Sequence, residues 1–141
     1  MRLVWTDELK TGVDDIDTQH KEIIDKINRL HEAVKEGRGR EYIKEILDFL
    51  EGYINSHFSL EERYMADFNY PRQAKMAHVR QHKDLTEKYR ELKKEFSEGH
   101  MLVTTLLAKE ILGLWWVTHI KNTDRLMANF LRERIKGGGI T

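Results

Sequence analysis

Apolar residues recur every three or four positions along most of the chain, the period of an α-helix with one buried face. Stepping along them predicts four helices, over residues 18–36, 41–66, 72–98 and 102–136. The punctuation agrees: Asp17 or Thr18 is the expected cap of the first helix and Gly37 its stop, Pro71 leads into the third and Gly99 ends it, and Gly137 to Gly139 end the fourth. Connections of only about 4 to 6 residues favour antiparallel neighbours. The expected fold is all-α, an up-down-up-down antiparallel four-helix bundle. An irregular N-terminal arm of about 16 residues precedes it, Ile140 and Thr141 form a frayed tail, and residues 1–141 make a single domain.

The buried stripes are not wholly apolar. The first runs Ile16, His20, Ile23, Ile27, Leu30, Val34, and the second Ile43, Leu47, Leu50, Ile54, His57, Glu61, Tyr64, Phe68. The third holds His78, His82, Leu85, Tyr89, Leu92 and Phe96. In the fourth, Leu112, Trp115, His119, Leu126 and Phe130 form one stripe, and Trp116, Ile120, Asp124, Met127 and Leu131 the next. Every helix thus puts an ionisable group where patterning asks for an apolar one. An unpaired buried charge costs several kcal/mol against a net stability of about 5 to 15 kcal/mol, so either the stripes are misassigned or these groups compensate one another through a bound cation.

Positions along the bundle axis support this. At about 1.5 Å per residue, His20 lies roughly 3 to 5 Å from one end, His57 and Glu61 about 8 to 14 Å, His78 and His82 about 9 to 15 Å, and His119 and Asp124 about 15 to 25 Å. His119 and Asp124 conflict with a regular helix: five residues apart, they point about 140° away from each other, and can share a site only if Asp124 reaches in from the side or the turn is distorted. Five imidazoles and two carboxylates exceed the needs of one ion and suit two metals sharing carboxylates. Ligand type alone leaves iron, zinc, copper and nickel open.

Composition narrows the alternatives. The 24 basic and 24 acidic residues cancel, which gives no footprint for nucleic acid or a charged membrane surface. With no cysteine, any metal must rest on His, Asp or Glu. No signal-like apolar run opens the chain and no span of about 20 apolar residues appears, so the cytoplasm is the expected compartment. Met65 and Met127 are expected to fill gaps in the core, His31 and His100 to be structural, and Glu62 to be either solvated or hydrogen-bonded to a ligand.

The segments Ile16-Asp17-Thr18-Gln19-His20, His57-Phe58 with Glu61-Glu62 and Met65, His78 with His82, and Trp115 with His119-Ile120 and Asp124 resemble the motif set of the hemerythrins, especially the bacterial single-domain ones, from about Trp5 to Leu131. The resemblance implies two iron ions. His78, His82 and His119 would hold one, His20 and His57 the other, and Glu61, Asp124 and an oxo or hydroxo group would bridge them. Dioxygen would bind reversibly at the open position of the second iron, for transport, storage, delivery or sensing. Ile23, Ile27, Phe58, Trp115, Trp116 and Ile120 would wall that pocket. Family members usually carry an aliphatic residue where this chain has Trp116.

A binding protein is therefore expected rather than an enzyme, a monomer whose partner beyond dioxygen is an unidentified protein acceptor. The alternative is a di-iron enzyme acting on peroxide, nitric oxide or iron. Ferritin-like enzymes use paired Glu-x-x-His motifs, and this sequence contains none.

Overall fold

A computed structural model describes residues 2–135. Four long helices dominate them: α1 (Asp14–Lys35), α2 (Arg40–Asp67), α3 (Arg72–Ser97) and α4 (Met101–Arg134). The predicted end of the fourth helix at Lys136, the glycines after it and the tail Ile140-Thr141 lie outside the described residues. The start of α1, the end of α2, the start of α3 and the end of α4 meet at one end through His20, Glu61, His78 and Asp124. That sharing fixes the expected up-down-up-down order. Three helices end where the chain turns left-handed, at Gly37, Asn69 and Gly99. The next amide then reaches back to a carbonyl in the last turn, as Arg38 does to Ala33 and Tyr70 to Met65.

The first helix starts at Asp14, four residues before the sequence expectation, and neither Asp17 nor Thr18 is its N-cap. Asp14, Asp15 and Asp17 all lie in its first turn, where the helix dipole favours negative charge. Asp17 is buried and reaches backwards instead. Its carboxylate accepts the Thr11 amide at 2.8 Å, the Thr11 hydroxyl at 2.8 Å and the Gly12 amide at 3.1 Å. The arm is thus shorter than expected, holds one 3-10 turn (Asp7–Leu9) and is pinned twice. The second pin is Asn28, whose side chain exchanges hydrogen bonds of 2.8 Å with both backbone groups of Leu3.

Helix α4 is interrupted by two π-helical stretches, Glu110–Leu114 and His119–Asp124, whose amide bonds span five residues: Trp115 N–H donates to Glu110 and Arg125 N–H to Ile120. Each stretch adds a residue to its turn, and a stripe stepped at 3.6 residues falls out of register beyond it. Leu126, expected inside, is accordingly 61% exposed, while Met127, Ala128 and Leu131 are buried. In α2 the inner face likewise passes through Met65, with Tyr64 and Phe68 only half-buried. A window of α4 has mean hydropathy 1.3, long and apolar enough by composition to cross a membrane, where no such span is expected from the sequence. Ile111, Leu112, Trp116 and Ile120 from this helix are buried in the bundle, and Leu102, Leu106 and Leu114 are exposed.

Two apolar clusters result. The larger fills most of the bundle and includes Ile23, Ile27, Leu50, Phe58, Leu85, Trp116 and Ile120. The smaller, with Ile16, Met65, Tyr70, Met127 and Leu131, closes the end where the ionisable groups lie. Met65 and Met127 are both completely buried there, as expected. Replacing Asp17 by Ala should cost about 1 to 3 kcal/mol, because it strands the Thr11 and Gly12 donors. Urea unfolding measures the loss, and hydrogen exchange should show the Thr11 amide unprotected; an unchanged midpoint would show that the arm is held elsewhere.

Candidate metal centre

The earlier start of α1 brings its histidine level with the ligand residues of α2 and α3. His20 now lies six residues inside α1, as Glu61 lies six inside the end of α2 and His78 six inside the start of α3. Each is about 9 Å from the same end of the bundle. All seven predicted ligand residues are brought together and almost completely buried: His20, His57, Glu61, His78, His82, His119 and Asp124.

Their arrangement divides along the two carboxylates. Glu61 Oε1 faces His82 Nε2 at 3.0 Å and His78 Nε2 at 3.3 Å, while Glu61 Oε2 faces His57 Nε2 at 3.2 Å and His20 Nε2 at 3.6 Å. Asp124 Oδ1 faces His78 Nε2 at 3.0 Å and His119 Nε2 at 3.1 Å, while Asp124 Oδ2 faces His20 Nε2 at 2.9 Å. Each carboxylate thus gives one oxygen to the group His78, His82, His119 and the other to the group His20, His57. Donors at right angles on an ion at about 2.1 Å stand about 3 Å apart, which is the spacing found. Although so close, His20 Nε2, His57 Nε2, His119 Nε2, Glu61 Oε2 and both Asp124 oxygens lack hydrogen-bond alignment with any partner. Atoms that crowd without bonding one another fit two cations.

The π turn produces this geometry in α4. It swings Asp124 back to the side of His119, so residues five apart share a face and meet at 3.1 Å. Local distortion, and not a sideways reach, resolves the conflict between these two positions.

Outer hydrogen bonds orient the rings. His57 Nδ1 pairs with Gln19 Oε1 at 2.7 Å, His119 Nδ1 with Gln81 Oε1 at 2.7 Å and His82 Nδ1 with Glu62 Oε2 at 2.8 Å. An Nδ1–H donated outward leaves Nε2 as a lone pair toward the centre. Glu62 therefore takes the hydrogen-bonded role, and Thr123 donates to Gln81 at 2.9 Å to fix that amide. Gln19 was named in the sequence only as part of the first motif, with no role assigned, and Gln81 and Thr123 were not singled out. Their one signal is position: each glutamine immediately precedes a ligand histidine, a place a surface glutamine could equally hold.

Every predicted pocket residue sits in or against the larger apolar cluster. Trp115 is half-buried and stacks on His119 at 4.4 Å, and Phe58 stacks on His82 at 3.8 Å, so both brace the three-histidine side. Trp116 is completely buried between Phe58, at 5.8 Å, and His57, at 6.1 Å, with its indole N–H unpartnered. Phe58 also lies 6.1 Å from His57, so both aromatic rings border the two-histidine side. Of the other histidines, His100 pairs at the surface with Glu95, and His31 lies at the far end of the bundle.

Without a metal the site turns to protons. Burial alone would push His20 and His78 down, but the Asp124 and Glu61 carboxylates more than offset it and hold both imidazoles up at about 9. Burial would push Asp124 and Glu61 up, yet the surrounding imidazoles keep both carboxyls well below their usual range. The cluster is a cage for positive charge, met by protons or by metal.

A family model described as the hemerythrin HHE cation binding domain matches residues 11–131. A protein named bacteriohemerythrin from Pseudomonas aeruginosa is 33% identical over 147 residues, covering 99% of this chain and 93% of its own. Proteins of the same name from Stenotrophomonas maltophilia and Methylococcus capsulatus are 34% and 35% identical, covering 96% and 88% of this chain and 91% and 92% of theirs.

Two outcomes follow, the first for the metal-free protein. Stability from protonated His20 and His78 is fully present below their ordinary value of 6.5 and lost as pH rises through about 9, so the melting temperature should fall across that window and stay flatter once metal is bound. A metal-free melting temperature that holds steady or rises there would contradict the cage. Deleting the exposed Asn122 should return the π turn to α and rotate Asp124 by about 100°. Helicity by circular dichroism should persist while cation stoichiometry falls; undiminished binding would show that the π turn is not needed.

Proposed function

The chain belongs to the hemerythrin family, and on that footing we propose that it is a non-haem di-iron protein that binds dioxygen reversibly, a binder rather than an enzyme. One observation carries the proposal: Glu61 and Asp124 each split their two oxygens between a three-histidine and a two-histidine group. Two ions bridged by two carboxylates account for that division. A single ion would leave His20 and His57, or the other three histidines, buried with no cation.

In this reading His78, His82 and His119 would hold one iron, and His20 and His57 would hold the other, where fewer imidazoles would leave an open position for the gas. When bound, the ferrous pair supplies the electrons that dioxygen takes up and returns. The chain's own residues keep that exchange reversible. Ile23, Ile27, Phe58, Trp116 and Ile120 are all 4% exposed or less and keep water and protons from the open position, which would otherwise divert the gas to peroxide. The smaller cluster around Ile16, Met65 and Leu131 seals the end. Glu62, Gln19 and Gln81 hold the rings so that no side chain reorganises when the gas enters.

Anaerobic reconstitution with ferrous iron, followed by admission of oxygen, tests the reading. Two irons per chain and a visible absorption band that appears with oxygen and disappears on degassing are expected. One iron, none, or a band that degassing never reverses would overturn it. Replacing Trp116 by Leu removes the largest completely buried side chain beside His57 and should cost about 2 to 4 kcal/mol. Oxygen exchange and autoxidation should both accelerate with iron stoichiometry unchanged. Unaltered rates would show that the indole does not wall the pocket.

A further inference from the structure

A cavity of about 450 Å³ opens at the end of the bundle opposite the metal centre. Its size is that of a small-molecule site, for which about 300 to 1,000 Å³ is typical. The apolar wall is Leu30, Val34, Ile43, Leu47, Leu92 and Ala108, supplied by all four helices. The cavity lies about 15 Å along the axis from the metal centre, as ten residues of α4 separate Lys109 from His119.

The polar groups around it are mostly committed. Arg2 pairs with Glu32 at 3.2 Å, Asn28 is spent on Leu3, and the Thr104 and Thr105 hydroxyls donate to the carbonyls of His100 and Met101, one turn back along the chain. Three lining groups remain. Lys35 and Lys109 have no carboxylate within ion-pair reach among the described residues, and His31 Nε2 is enclosed without a hydrogen-bond partner. Burial is the main cause that pushes the His31 imidazole below its usual range, and the positive charge of Lys109 adds to it. An apolar wall that opens beside two exposed ammonium groups without ion-pair partners and an unpartnered imidazole is complementary to one kind of molecule, an apolar chain with a single anionic head.

We propose that this cavity binds a medium-chain monocarboxylate, its tail against Leu47, Leu92 and Ala108 and its carboxylate between Lys35, Lys109 and His31. The site is independent of iron and of dioxygen. Its chemistry is reversible binding, and no bond is made or broken.

Isothermal titration of the full chain with sodium octanoate tests the proposal, with octanol, hexanoate and acetate as comparisons. Octanoate should bind, octanol at least tenfold more weakly, and acetate not measurably. Each methylene removed from the tail should weaken binding about fourfold, the value of one buried methylene. The double variant Lys35→Gln, Lys109→Gln should bring octanoate down toward octanol, and Thr105→Trp at the rim should weaken both. Carboxylate captured by the metal centre would ignore these variants, because they lie about 15 Å away. Absence of octanoate binding, equal affinity for octanoate and octanol, or binding that survives Thr105→Trp unchanged would each overturn the proposal. Circular dichroism of each variant separates a lost site from a lost fold.

Discussion

The sharing of two buried carboxylates between two sets of imidazoles is the constraint on which the rest of the structure depends. Glu61 and Asp124 are completely enclosed, and five imidazoles are packed around them. A buried charge is tolerated only with compensation, and here it must come from protons or metal, as no Lys or Arg reaches either carboxylate among the described residues. The four helices are thereby bound to one another at one end. His20 ties α1 to α2 and α4, and His78 ties α3 to both. Folding energy is divided between this end and the apolar cluster that fills most of the bundle. Losing the cation should therefore loosen the site before the fold.

Within that constraint, α4 departs furthest from regular geometry. A regular helix cannot present His119 and Asp124 to the same point, and the π turn lets it do so at the expense of the normal hydrogen-bond ladder. The same distortion displaces Leu126 outward and brings Met127 under the site, so the packing of the small closing cluster and the geometry of the centre have one origin. Gln81 and Thr123 then fix His119 from outside. The candidate site and the departure from regular helix occupy the same turn.

Much of this was legible in the sequence because it rests on periodicity. Histidines at His20, His57 and His78 break apolar stripes that are otherwise regular, and no energetic account of a bundle could leave them there unpaired. The stops at Gly37 and Gly99 were equally plain, since a left-handed residue ends a helix whatever surrounds it. The start of α1 was hidden, because Asp17 carries the sequence mark of a cap while its carboxylate serves the arm from inside the helix. The π turn was visible only as a conflict between His119 and Asp124, and its effect on Leu126 could not be read from a rule that assumes 3.6 residues per turn. The outer partners Gln19 and Gln81 act across helices, and sequence spacing carries no mark of such contacts. The far cavity depends on which polar groups are already committed, and only the folded chain shows that.

The central claim is that the same two carboxylates hold both ions. Ferric ions bridged in that way couple antiferromagnetically. Electron paramagnetic resonance of the fully loaded, oxidised protein should therefore show almost none of the signal that its iron content would give if the ions were separate, with an integer-spin ground state in magnetic susceptibility. A high-spin ferric signal that accounts for all the iron would mean that the ions are not bridged, and would contradict the account.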